Sequence, residues 1–241
     1  MADEMTGLDR VVSSLREPLR AYAGLLREIH GAGALALTCF GAATTDRFDP
    51  QQHVVRNVLL LDKVDLGALR RLAEYGSKLG KQQIAAPLIM TEPYIKASLD
   101  TFPLELIEIQ QTGVTLFGED HFKALEFEEG HIRLQCERDL KALLIGLRQG
   151  LLAAAGREKL IANLETGVAE PLFRTLRGML WLKGQKTPKP ATETLSEIEK
   201  LADRKLSGIR TAMDARATHG WAAFESLYQD VEALGRLVDG W

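Results

Sequence analysis

Apolar residues recur at helical spacing from residue 8 to about residue 29, through Leu15, Leu19, Tyr22, Leu25, Leu26 and Ile29, and the glycines of HGAG stop the run. That pattern predicts one N-terminal helix. Two short apolar runs follow, ALALTCFG (34–41) and VVRNVLLLD (54–62), the second β-branched at its start and preceded by Pro50. Both predict buried strands. LGALRRLAEYGSKLG (66–80) returns to helical periodicity and ends on glycine, after which IAAPLIMT (84–91) and FPLELIEIQQTG (102–113) resume strand-like patterning. Strands alternating with helices predict an α/β or α+β sheet domain over residues 1–125.

From there the grammar changes. HIRLQCERDLKALLIGLRQGLLAAAG (131–156) carries a continuous stripe of Ile132, Leu134, Leu140, Leu143, Leu144, Leu147 and Leu151, and helical stretches follow near 161–182, 193–214 and 220–237. GQKTPKPAT (184–192) is the clearest loop, because Pro188 and Pro190 interrupt any helix between its neighbours. Four helices on short loops predict an antiparallel bundle over residues 126–241.

Composition narrows the function classes. The chain has 241 residues, 46% hydrophobic and 26% charged, with a net charge of −3. That balance fits a folded globular protein and gives no basic excess pointing to nucleic acid. Cys39 and Cys136 lie far apart without a CxxC pair, so they read as buried thiols rather than a zinc site or a disulfide. No apolar run approaches the roughly 20 residues that span a bilayer, and the acidic start MADEMTGLDRVV lacks an apolar signal core. The expectation is a cytoplasmic protein with no membrane partner.

Three pieces of sequence carry a resemblance: FGAATTDRF after the first strand, SLDTFPLELIEIQQTGVTLFGEDHF (98–122), and the Glu-bearing helix RLQCERDLKALLIGLR (133–148). Together they resemble the nucleotidyltransferase superfamily, particularly members of the kanamycin nucleotidyltransferase type. The resemblance implies an α+β fold, a mixed sheet domain followed by a helical bundle. It also implies a turn after the first strand that presents a Gly-Ser pair to nucleotide phosphates. Two acids one residue apart on the second strand, and a third on a later strand, would hold two metal ions. The spacing has a reason: residues i and i+2 of a strand share a face, so both carboxylates reach one metal pair, which clamps the attacking and leaving oxygens.

Mapped onto this chain, the pattern is incomplete. Gly41 matches the turn glycine, but Ala42 stands at the serine position and leaves only backbone N–H groups for a phosphate. The acid-pair segment falls on Arg56, Asn57, Val58 and Leu59, with no acid, and Arg56 adds positive charge where cations would gather. Glu105 lies where the third acid would be, as a residual ligand or base or as an acid on the outer face of an edge strand. Glu108, at odd spacing from it, would point to the opposite face. A slipped alignment would draw instead on Asp46, Asp49, Asp62 or Asp65. Asn57 would either hydrogen-bond a ribose or phosphate or cap a neighbouring backbone group. Arg133, Glu137, Arg138 and Lys141 have the i,i+4 spacing of a solvated helix face, while Glu137 and Arg148 would line an inter-domain cleft if the bundle folds over the sheet. His121, His131 and His219 lack ligand spacing, and Trp181 and Trp221 fit helical core positions.

The sequence therefore predicts a nucleotidyltransferase-fold protein that has lost metal-dependent transfer and binds a nucleotide, another small molecule or a partner in the inter-domain cleft. No metal and no cofactor is expected. Two other readings stand beside it. One is an active transferase using Mg2+ and an NTP on a small hydroxylated acceptor such as an aminoglycoside. The other is a dimerisation or protein-binding module, a homodimer through the helical half.

Overall fold

The computed structural model describes residues 5–44, 48–50, 53–214 and 216–241. Its contacts divide the chain into a sheet unit, made by the residues up to Leu99 with Glu105–Glu126, and a helical unit, Asp100–Leu104 with Phe127–Trp241.

The sheet unit opens with two short 3-10 turns that lead into α1 (Arg16–His30), and Gly31 ends that helix. Strand β1 (Ala34–Phe40) follows, then the tight turn Gly41–Thr44, β2 (Arg56–Leu61), α2 (Leu66–Ala73), α3 (Gly76–Lys81), β3 (Leu88–Met90), α4 (Glu92–Ala97), α5 (Pro103–Thr112) and β4 (Val114–Phe117). The sheet order is β3-β2-β1-β4, with β1 antiparallel to both β2 and β4 and β2 parallel to β3. The sheet is therefore mixed.

Side chains alternate faces along a strand, and burial shows where each face goes. Leu19, Tyr22, Ala23 and Leu26 of α1 join Leu37 and Cys39 of β1 and Leu59 and Leu61 of β2 in one buried apolar cluster. Asn57 shares that face. The opposite face carries Thr38 and Phe40 of β1 with Arg56, Val58 and Leu60 of β2, and Thr38 meets Thr115 of β4 through their hydroxyls at 3.0 Å. Both cysteines are buried, which pushes each thiol up to about 12.

One element overturns its sequence reading. FPLELIEIQQTG forms the helix α5, and the strand begins only at Val114. Its alternation is superficial: Leu104, Leu106, Ile107 and Ile109 are all buried, whereas Glu105, Glu108 and Thr112 recur at i, i+3 and i+7, the spacing of one helix face. Pro103 is the first helical residue, a position that suits its fixed φ and missing N–H. The predicted helix over 66–80 is two helices, split at Glu74 and Tyr75.

The helical unit contains α6 (Glu129–Ala154), α7 (Glu158–Gly167), α8 (Ala169–Leu182), α9 (Ala191–Leu201), α10 (Ser207–Ala212) and α11 (Trp221–Asp239). Two of the four predicted helices are each broken in two, the second near Asp203, whose φ of 47° lies in the left-handed region. Helix α6 packs on α7, α8 and α11, and α10 packs closely on α11. Gly208 makes that last approach feasible, since a Cβ there would fall on the backbone of Ser226 and Leu227. Trp181 is buried, as its core reading expects, while Trp221 stays half exposed and stacks on Phe224. Among the described residues no helix is long and apolar enough to cross a membrane.

Candidate functional site

The turn after β1 is where the resemblance places chemistry. Gly41 takes a φ of 79°, which only glycine adopts without strain, and it starts the 3-10 turn that includes Ala42. Its N–H donates to Thr112 Oγ1 at 3.0 Å, and that hydroxyl donates to Glu108 O one helical turn earlier in α5. Thr44 Oγ1 lies 2.8 Å from both Gly41 O and Thr112 O. The end of α5 thus takes up the polar groups at the start of the turn.

Beside the turn, Arg56 Nη1 donates to Glu108 Oε1 at 2.8 Å, and the guanidinium carbon lies 4.5 Å from the centre of the Phe40 ring. Helical geometry brings this about: Glu108 and Thr112 are four residues apart, so the same face of α5 reaches Arg56 and Gly41 together. The strand expectation for this segment, which sent Glu108 to the opposite face from Glu105, is corrected by that geometry. Glu105, three residues earlier, lies on α5 and on no strand, so it cannot serve as a strand-borne third acid.

Asn57 is 1% exposed, at the centre of a closed hydrogen-bond set. Tyr22 Oη donates to its Oδ1 at 3.1 Å, while its Nδ2 donates to Ala85 O at 3.0 Å and Val55 O at 3.4 Å. The amide links α1 to the β2 and β3 segments. Burial raises the Tyr22 hydroxyl above its ordinary value, which keeps it a neutral donor. Leu59 is 0% exposed in the same cluster.

Among the described residues, a register slip along β2 brings no acid pair onto either face. The α1 face of β2 presents Asn57, Leu59 and Leu61, and the other face presents Arg56, Val58 and Leu60. Neither carries a carboxylate. Asp65 is occupied as the N-cap of α2, accepting from Gly67 and Ala68 N–H, which holds its carboxyl below the usual range. Asp62 is exposed beyond the strand, Asp49 precedes it in the loop, and Asp46 lies outside the described residues. Among the described residues no group of three or more His, Cys, Asp or Glu could hold a metal ion. The two-metal centre that the resemblance implies does not fit the described side chains.

The remaining candidates belong to the helical unit or to surface turns. Glu137 pairs with Lys141 and with Arg133 at 2.9 Å, and hydrogen bonds from Lys141 first and Arg133 second hold its carboxyl below the usual range. Arg148 Nε donates to Tyr228 Oη at 2.7 Å. His121 lies 3.0 Å from Glu92, and His219 lies 3.0 Å from the buried Glu165, which also accepts from Gly220 N–H. The LFGED segment is a structural turn. Gly118 fits against the backbone of Leu35 and Ala36, and Asp120 accepts from the N–H groups of Phe122 and Lys123.

No family model and no curated protein sequence matches the chain. By structure the chain is similar to spectinomycin adenyltransferase AAD(9) from Enterococcus faecialis, solved with ATP and spectinomycin. The match has a TM-score of 0.60 over 92% of this chain and 98% of that one, at 8% sequence identity. The likeness establishes an α+β, nucleotidyltransferase-like fold and leaves the chemistry to be argued from the side chains.

Proposed function

We propose that this chain is a nucleotidyltransferase-fold protein that has lost metal-dependent nucleotidyl transfer and acts by binding a nucleotide or a partner. The observation that carries the reading is β2. Both of its faces lack carboxylates, Asn57 and Leu59 are committed to the core, and Arg56 is committed to Glu108. In-line displacement at phosphorus with two clamping metals needs several hard oxygen ligands around a common point. Among the described residues, Glu108 lies beside the turn and is paired with a guanidinium.

The competing reading, an active transferase on a small hydroxylated acceptor, draws on the structural neighbour, whose crystals held ATP and spectinomycin. An assay separates the two. The protein is incubated with ATP, GTP, CTP or UTP, with Mg2+ or Mn2+, and with spectinomycin or an aminoglycoside, and pyrophosphate release is followed. The expected result is no release above the no-protein rate. Turnover abolished by Glu105→Ala would overturn the reading and restore Glu105 as a catalytic acid. Calorimetric titration with the same nucleotides then tests binding, with the expectation that any heat observed is unchanged by removing the metal.

A further inference from the structure

Arg56 and Glu108 form a pair that core packing alone does not explain. Glu108 keeps only 11% of its side-chain surface exposed, whereas Arg56 keeps 31%, so the guanidinium can be reached from solvent while its counter-ion is nearly enclosed. Phe40 supports the guanidinium from one side. A Cβ at Gly41 would lie 3.8 Å from Arg56 Nη1 and 4.0 Å from Glu108 Oε1, so the bare glycine backbone borders the pair with no side chain of its own between them.

We propose that Arg56 is a built-in cation at this end of the sheet and that Glu108 is the internal anion it holds when no ligand is bound. A phosphate-bearing molecule then binds here without metal, by displacing the Glu108 carboxylate from the guanidinium. The planar guanidinium matches phosphate oxygens as well as it matches a carboxylate. The internal carboxylate lowers apparent affinity by the fraction of time it occupies Arg56. This inference rests on the non-catalytic reading above and adds to it the ligand chemistry and the group that opposes binding.

The test titrates inorganic tripolyphosphate, and separately ATP, into the full chain in the presence of EDTA, comparing wild type with Glu108→Gln and Arg56→Gln. Tripolyphosphate is expected to bind Glu108→Gln at least tenfold more tightly than wild type, and binding is expected to vanish in Arg56→Gln. ATP is expected to follow the same order, because the phosphates are what Arg56 recognises. Equal affinity in wild type and Glu108→Gln, no binding to either, or binding that survives Arg56→Gln would each overturn the proposal. Glu108→Gln keeps an acceptor for Arg56 and is expected to fold. Should it not, Glu108→Asp draws the carboxylate back by one methylene and must show the same increase. Metal-dependent transfer by the wild type would overturn the non-catalytic reading, whereas absent phosphate binding alone would leave that reading standing and remove only this one.

Discussion

Placing acids at two positions on one face of β2, with Asn57→Asp and Leu59→Asp together, is expected to unfold the sheet unit and to produce no metal-dependent transfer. The Asn57 amide uses both ends: its oxygen accepts from Tyr22, and its nitrogen donates to the carbonyls of Ala85 and Val55. A carboxylate keeps the first contact and turns an acceptor toward two acceptors in the second. Such an unsatisfied buried polar group costs about 1–3 kcal/mol, and more when it is charged. Leu59 is wholly buried. Losing its apolar side chain costs roughly 2–5 kcal/mol by the usual large-to-small scale, and enclosing a charge there adds several kcal/mol. Against a total domain stability of about 5–15 kcal/mol, the sum is comparable to the whole stability of the unit. Circular dichroism melts should show no cooperative transition for the sheet unit in the double variant. A folded double variant that transfers a nucleotide with Mg2+ would mean that the metal positions survive in this chain, and that β2 remains a working metal-site strand lacking only its acids.

The same two positions separate what the sequence discloses from what it conceals. The absence of acids at Asn57 and Leu59 is legible in the letters alone, since a strand's two-residue period leaves no doubt about which positions share a face. What those residues do instead is not legible. The partners of Asn57 come from α1 and from the segment before β3, and no local pattern announces Tyr22 or Ala85. The segment 102–113 misleads because its apolar residues are dense enough to satisfy either period, so only the polar positions Glu105, Glu108 and Thr112 and the opening Pro103 distinguish helix from strand. A strand there would place Glu108 on the far side of the sheet and hide its pairing with Arg56. The break between α9 and α10 is hidden for a different reason. Asp203 does not mark a left-handed stop as reliably as glycine does, and the short helix beyond it depends on a cap supplied from α11.

That cap is the source of the second large effect. Asp230 of α11 is buried, yet its Oδ2 accepts from Gly208 N–H at 2.8 Å and Ile209 N–H at 3.2 Å, and its Oδ1 lies 3.1 Å from Arg204. It supplies from another helix the acceptor that the first turn of α10 lacks locally, since Leu206 provides no side-chain cap. Nearby, the buried Glu199 accepts from Leu206 N–H at 3.1 Å and from Arg210 at 2.9 Å. Asp230→Ala would leave two backbone donors without their acceptor, at a cost of about 3 kcal/mol or more. The two carboxylates differ in how acid affects them. Desolvation dominates at Asp230 and raises its carboxyl above the usual value despite the two N–H groups and Arg204. At Glu199 desolvation is again the largest single influence, but Leu206 N–H, Arg210 and Lys205 together outweigh it and the carboxyl lies below the usual value. A raised carboxyl binds its proton more readily folded than unfolded, so the stability Asp230 contributes is fullest below its unfolded value and declines as pH rises through its folded one. A depressed carboxyl does the reverse, so the contribution of Glu199 is present above its unfolded value and is lost as pH falls through its folded one. Urea unfolding at a series of pH values from neutral down through the carboxylate range should therefore separate two variants. The cost of Asp230→Asn relative to wild type should grow on acidification, and the cost of Glu199→Gln should shrink. Equal slopes in the two variants would mean that the pair titrates as one unit, and that the cap on α10 depends on their shared charge rather than on Asp230 alone.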